Sequence, residues 1–300
     1  MVWVLLGMVS AMLLGVYDIF KKLSLRDNAV MPVLFLSTLT SSLLFLPILL
    51  VSHSHPELSG HFWYIKPQNL TAHIHFFVKS IIVGSSWVLA YFAVKNLPIT
   101  IASPIRSSGP IWTLLGAILI FGETMNVLQW AGLIVTMGFY YLFSLSGKKE
   151  GISFRTNKWV LFMTLATVIG SISSLYDKYL VAHYDRMAMQ CWFSIYMVPI
   201  MTSLLLFVWV PNRKKYAPFQ WRYTIILIGA TLTIADFAYF WALSYPGSLI
   251  AIISTVRRSS VIVSFTLGAI ILKEKNIRYK ALVLLGILAG IGLIVLGGWK

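Results

Sequence analysis

Ten runs of about twenty apolar residues, separated by short polar stretches, decide what this chain can become. A run of that length matches the hydrocarbon thickness of a bilayer. In lipid the backbone must bond to itself, so each run is read as a helix. The spans are Val2–Phe20, Met31–Val51, Phe76–Val94, Ile99–Phe121, Val127–Leu145, Trp159–Leu180, Met189–Trp209, Tyr223–Tyr245, Ser248–Leu272 and Ala281–Gly298. The longest gap is about two dozen residues, too short for a separate soluble domain. Spans three and four, and spans eight and nine, are joined by only a few residues and form tight hairpins.

Charged residues make up 11% of the chain and apolar ones 58%, against about 25% charged in a soluble domain. The net charge of +15 would suggest nucleic acid in a soluble protein. Here most Lys and Arg lie in short loops beside spans, where topology and anionic lipid account for them. Cys191 is the single cysteine, so neither a disulfide framework nor a cysteine metal site is expected. The first run starts at Val2 without a preceding basic stretch and reads as a span rather than a signal peptide.

The two halves repeat. Val16-Tyr17-Asp18 matches Leu175-Tyr176-Asp177, and Ala90-Tyr91-Phe92 with Pro98 matches Ala238-Tyr239-Phe240 with Pro246. Arg106-Ser107-Ser108 returns as Arg258-Ser259-Ser260, ungapped through to Leu115-Gly-Ala-Ile118 and Leu267-Gly-Ala-Ile270, and Glu123 and Glu274 follow their spans. Residues 1–146 and 159–300 are therefore two five-helix repeats around a polar linker, 147–158. Five is odd, so the second repeat enters the membrane upside down. The fold expected is an all-α integral membrane protein of ten transmembrane helices in two inverted repeats, with a solute site between them at mid-depth.

Loop charges give an orientation. The loops at Lys21–Arg26, Lys95, Lys148–Lys158, Arg213–Arg222 and Lys273–Lys280 hold sixteen Lys and Arg, while the opposite side holds four. The basic side is expected to be cytoplasmic, which leaves both termini outside.

The arginines carry the chemistry. At 1.5 Å per residue, Arg106 and Arg258 lie about 10 Å and 15 Å into their spans, entering from opposite faces. An arginine at a helix centre costs about 2.5–3.5 kcal/mol, so with Arg257 the three amount to about 8–10 kcal/mol unless they meet water, a partner or a ligand. Asp236 is the one clear intramembrane acid, because Asp18 and Asp177 fall near the ends of their spans. The resulting positive cavity favours an anion, and guanidinium suits carboxylate or phosphate. The competing reading has the arginines pair with Asp236 and backbone carbonyls and hold helices together. Arg257 and Arg258 point about 100° apart on a helix, and Arg258 is favoured as the repeat mate of Arg106.

Other residues have two readings each. Ser107, Ser108, Ser259 and Ser260 could bind a solute, but individually they are better explained as bonding the helix backbone. Pro104 and Pro110 favour a kink in span four. Asp236 could carry a proton or neutralise an arginine, and Asp18 and Asp177 suit an interfacial ion pair or gate. Tyr91 and Tyr239 could flank the cavity, though packing is the commoner role. His53, His55, His61, His73 and His75 could form a metal-binding loop, but no His, Cys or Met cluster continues into the spans to pass a metal onward. Asn69-Leu-Thr71 has the form of a glycosylation acceptor.

Leu115-Gly-Ala-Ile-Leu-Ile-Phe-Gly-Glu123 leading to Gln129-Trp-Ala-Gly132, within two five-span repeats, resembles the EamA-type branch of the drug/metabolite transporter superfamily. Ser254-Thr-Val-Arg-Arg-Ser-Ser-Val-Ile-Val-Ser264 looks like the basic pair and apolar run of its sugar-phosphate and nucleotide-sugar translocators, with Arg257 where lysine is usual. The resemblance implies a transporter, and implies cytoplasmic termini, opposite to the loop charges. The function expected is a secondary carrier in the plasma (inner) membrane that moves a small organic anion by alternating access. The main alternative is an exporter of neutral or zwitterionic metabolites; a lipid-phosphate flippase, a metal transporter and a membrane enzyme rank below it. Partners are an anionic solute and membrane lipid, with room for a homodimer, and neither nucleic acid nor a cofactor enters the reading.

Overall fold

The computed structural model describes residues 2–121, 126–148, 152, 154–245, 248, 253, 256–257, 259–272 and 277–297. The helices are α1 (Val2–Leu25), α2 (Val30–Ser54), α3 (Leu70–Asn96), α4 (Ile99–Ser107), α5 (Gly109–Phe121), α6 (Val127–Lys148), α7 (Lys158–His183), α8 (Arg186–Leu204), α9 (Thr224–Leu243), α10 (Ser260–Ile271) and α11 (Ile277–Gly297). Among the described residues six helices are long and apolar enough to cross a bilayer: α1, α2, α3, α7, α8 with its π-helical extension to Trp209, and α9.

The helices start and stop where side chains meet the orphan backbone groups. Asn69 and Asp185 each accept a bond from the backbone N–H three residues on, at 2.9 Å, and Asn157 caps α7 through Trp159 N at 2.9 Å. Asn69 thus has a capping role at the candidate glycosylation site. Helix α3 ends before Pro98, and the Lys22 ammonium donates to the carbonyls of Val94 at 2.7 Å and Leu97 at 2.6 Å at its frayed end.

Several span boundaries differ from the sequence reading, with consequences for the site. Helix α1 continues to Leu25 rather than stopping at Phe20, and α3 begins at Leu70 rather than Phe76. Span four is two helices, with Ser108 between them at φ −70°, ψ −8°. Pro110 has no N–H to continue the ladder. Ser108 closes the break by bonding Ile105 O through both its N–H, at 3.2 Å, and its hydroxyl, at 2.8 Å.

The packing turns a soluble protein inside out. Leu119, Phe207 and Ile134 face outward, while Ser10, Asp18, Lys21, Ser24, Lys79 and Asp177 are buried. Helix α1 packs on α9 and α3 on α7, a pair of contacts that exchange when the halves are interchanged. Helices α2 and α8, and α6 and α11, each pack on their own counterparts, while α10, the counterpart of α5, packs on α4. Gly229 lets α9 approach α2 closely, because a Cβ there would strike the backbone carbonyl of Ser37.

Three basic stretches meet on one face. Lys95 donates to Asn28 O at 2.7 Å, and Asn28 exchanges bonds with Gln220, giving Nδ2–H to its carbonyl at 2.7 Å and accepting its N–H at 2.8 Å. Arg222 donates to the Leu23 carbonyl. The loops grouped by charge around Lys21–Arg26, Lys95 and Arg213–Arg222 thus share a side.

Candidate functional site

A cavity of about 150 Å³ opens between the halves. On α3 it is lined by Lys79, Val83, Ser86, Trp87, Ala90 and Tyr91, and on α7 by Ala166, Thr167, Gly170, Ser173, Ser174 and Asp177. Both sets follow the three- and four-residue spacing of one helix face. Helix α1 adds Leu14, Tyr17 and Lys21, and α9 adds Leu232, Asp236 and Phe240. Phe193 of α8, Arg106 and Arg257 complete it.

The charges form three groups. Arg106 grips Asp18 with both ends of its guanidinium, Nη1 donating to Oδ1 at 2.7 Å and Nη2 to Oδ2. Lys21 donates to the same carboxylate at 3.0 Å and lies 4.4 Å from the Tyr17 ring centre and 5.4 Å from that of Tyr91. Lys79 pairs with Asp177 across the halves, between the rings of Phe193 and Phe240. Arg257 pairs with Asp236, donates through Nε to Ser10 Oγ at 3.1 Å, and lies 4.2 Å over the Tyr239 ring. Two cations therefore share one carboxylate at the first group, while the other two groups balance.

The sequence reading placed Asp18 and Asp177 at the interface and Lys21 in a loop. All three are buried inside the bundle, because α1 runs seven residues past Asp18 and α7 six past Asp177. The acids paired around the cavity are consequently three, against four described cations in the same pairs. Lys79 was missed although it lies three residues inside the span read from Phe76; with α3 starting at Leu70 it lies nine residues in, on the face that carries Trp87 and Tyr91. The helical spacing from Tyr17 to Lys21 and from Lys79 to Tyr91 could have signalled both.

Arg258 lies outside the described residues. Ser259 repeats the break seen at Ser108, with φ −61°, ψ −10° and its hydroxyl on Val256 O at 2.6 Å. Arg257 stands two residues before that break, as Arg106 does before its own, so the local geometry matches Arg106 with Arg257, one residue off the ungapped register. Ser259 is occupied with its own backbone and does not line the cavity, while the side chain of Ser107 lies outside the described residues. Tyr91 lines the cavity; Tyr239 supports it from behind, under Arg257 and with its hydroxyl 3.4 Å from Asp177 Oδ2. Under the repeat alignment, Lys21, Lys79 and Asp236 correspond to the neutral Leu180, Leu227 and Val88.

The histidines do not converge. His55 bonds Glu57 at 2.8 Å, His61 stacks on Trp63, and His73 and His75 bond Tyr196 and Tyr176 at 2.9 Å and 2.5 Å. Among the described residues no three His, Cys, Asp or Glu side chains are grouped to hold a metal.

A helical bundle with apolar outer walls, enclosing a charged and aromatic cavity between repeated halves, has the build of a membrane solute carrier. The chain belongs to the EamA-like transporter family, whose model matches residues 1–145 and again 157–296. It is a multi-pass integral membrane transporter of the drug/metabolite superfamily, and its cargo is a small molecule. One solved crystal structure superposes with a TM-score of 0.66 over 98% of this chain and 96% of that one, and at 14% identity this likeness shows the fold. No curated protein matches the sequence.

Proposed function

We propose that the protein is a secondary carrier for a small metabolite with an anionic group, built as ten spans in two inverted repeats that rock about the central cavity. The observation that carries this reading is the excess cation at Asp18, where Lys21 and Arg106 share one carboxylate. A buried net positive charge is costly in lipid. An anion from the cavity relieves it, held by whichever of Arg106 and Lys21 releases Asp18. Tyr17 and Tyr91 beside them offer hydroxyls and ring faces for the rest of the solute.

A thermal-stability screen of the purified protein against sugar phosphates, carboxylates and amino acids tests the reading. Phosphates or carboxylates at about 100 times their dissociation constant add about 2.7 kcal/mol, which raises the melting temperature by several degrees. The effect weakens with salt. A response to amino acids but not to simple anions favours a zwitterionic cargo, whose ammonium would meet Asp177 or Asp236 on the cavity wall. No response to any anion sinks the anionic reading.

We also propose that the shared basic face lies in the cytoplasm of a cell whose plasma membrane holds the carrier. Cys191 is buried, so Lys214→Cys supplies the one accessible thiol. It should resist a membrane-impermeant maleimide in intact cells and react in inverted vesicles. Labelling in intact cells reverses the orientation.

A further inference from the structure

Behind the main cavity, between α2, α8 and α9, lies a second and much smaller one of about 10 Å³. That is room for one water-sized occupant. Its polar lining is Thr38, Ser41, Gln190, Ser194, Thr233 and Asp236. Every hydroxyl among them gives its proton to a backbone carbonyl. Thr38 donates to Phe35 at 2.8 Å, and Ser41 to Gly229 at 3.1 Å. Ser194 donates to Gln190 O at 2.9 Å, and Thr233 to Gly229 at 2.8 Å. Each oxygen keeps lone pairs and has no proton left to offer.

Gln190 adds the decisive atom. Its Nε2 donates to Thr233 O at 2.9 Å, which fixes the amide, since the flipped form would oppose two carbonyl oxygens. Its Oε1 is left buried without a hydrogen-bond partner on a side chain only 2% exposed. A buried acceptor left unmade costs about 1–3 kcal/mol. Asp236 gives Oδ1 to Arg257 and borders both cavities. The polar part of the lining is therefore hydroxyl and amide oxygens with one carboxylate, rich in acceptors and short of donors, and Trp87, Phe193, Met197 and Leu232 form the rest.

We propose that this cavity is a binding site for a single alkali-metal cation, with Na⁺ as the fitting size and charge, coupled to the solute through Asp236. A water would donate to two of these oxygens at most, whereas a cation satisfies all that reach it. The single carboxylate already balances Arg257, so a monovalent cation leaves one positive charge over, which an anion in the main cavity offsets, whereas divalent calcium sites usually recruit more acidic ligands. Met197 is the one soft side chain in the lining, and neither histidine nor cysteine joins it there to make a set that selects a transition metal.

The coupling rests on the anionic-solute reading above. A cation on the free oxygen of Asp236 draws the carboxylate's charge away from Arg257. The guanidinium then becomes available to an anion in the main cavity. Linkage makes the effect reciprocal, so the anion tightens the cation.

The experiment uses the whole purified protein in choline chloride, replaced stepwise by NaCl or KCl at constant ionic strength. Melting temperature and bound radioactive Na⁺ are read without any solute. The expected result is a saturable rise for one alkali cation, absent in Gln190→Met and kept or tightened in Gln190→Glu, which adds a second carboxylate. Thr38→Val, which retains shape and removes one oxygen, should weaken the cation several-fold and guards against a misfolded Gln190→Met. Equal responses to sodium, potassium and choline overturn the site, as does a sodium response unchanged in Gln190→Met and Thr38→Val. Anion responses measured in choline alone judge the solute reading separately. Cation binding without any anion response keeps the site and removes the coupling.

Discussion

Arg106→Ala is expected to abolish uptake of whichever phosphate or carboxylate compound stabilises the purified protein, while the chain still assembles. In the native site Asp18 holds two cations, Lys21 at 3.0 Å and Arg106 through two parallel bonds. Removing the arginine leaves Lys21 and Asp18 as a balanced buried pair, so the fold keeps its counter-ion and the cavity loses its excess charge. A charge-assisted bond to the solute is worth up to about 3 kcal/mol, which corresponds to about a 100-fold loss of affinity. Arg106→Lys keeps the charge but loses the planar fork, and about a tenfold loss is expected. Uptake into proteoliposomes measures both. An alanine variant that transports at the native rate removes Arg106 from the solute site and leaves it as a tie between α1 and α4.

The second large effect is on stability. Lys79→Met strands the Asp177 carboxylate inside the bundle, with side chains that are 3% and 7% exposed in the native pair. Breaking one partner of such a pair costs about 3–5 kcal/mol. At about 2–4 °C per kcal/mol, that lowers the melting temperature by about 10 °C. The double variant Lys79→Met with Asp177→Asn removes both charges and should recover most of the loss. The pair joins α3 of one half to α7 of the other, so an unaffected melting temperature in the single variant would mean that the halves are held by apolar packing instead. Recovery by the double variant also separates a charge effect from the mere loss of a long side chain.

Some of this site is readable without coordinates. The Tyr-Asp and Ala-Tyr-Phe repeats locate the lining helices, and an arginine in an apolar span announces itself by its cost. Lys21 was hidden by a helix end, since the apolar run stops where polar residues begin yet α1 continues for more than a further turn, and Lys79 stood only three residues inside the edge of its own run. A lysine at the edge of a run looks like a loop charge until the true end is known. The choice between Arg257 and Arg258 turns on a one-residue shift in where the helix breaks, which an ungapped register conceals. Gln190 belonged to no motif. An amide within an apolar span is unremarked until α2 and α9 close around it and its oxygen is seen to have no donor.

The three unmatched charges have a further consequence. A carrier made of interchangeable inverted halves would have two resting shapes, open to either side, of equal energy, and would divide its time evenly between them. Lys21, Lys79 and Asp236 stand opposite Leu180, Leu227 and Val88, so turning the molecule over does not restore the same chemistry. A difference of about 1.4 kcal/mol between the two shapes is enough to keep ten molecules waiting on one side for each on the other. Under the proposed rocking of the two halves, these three side chains bias the side on which the carrier waits for its cargo, and moving them to the opposite repeat should shift that bias toward the other side.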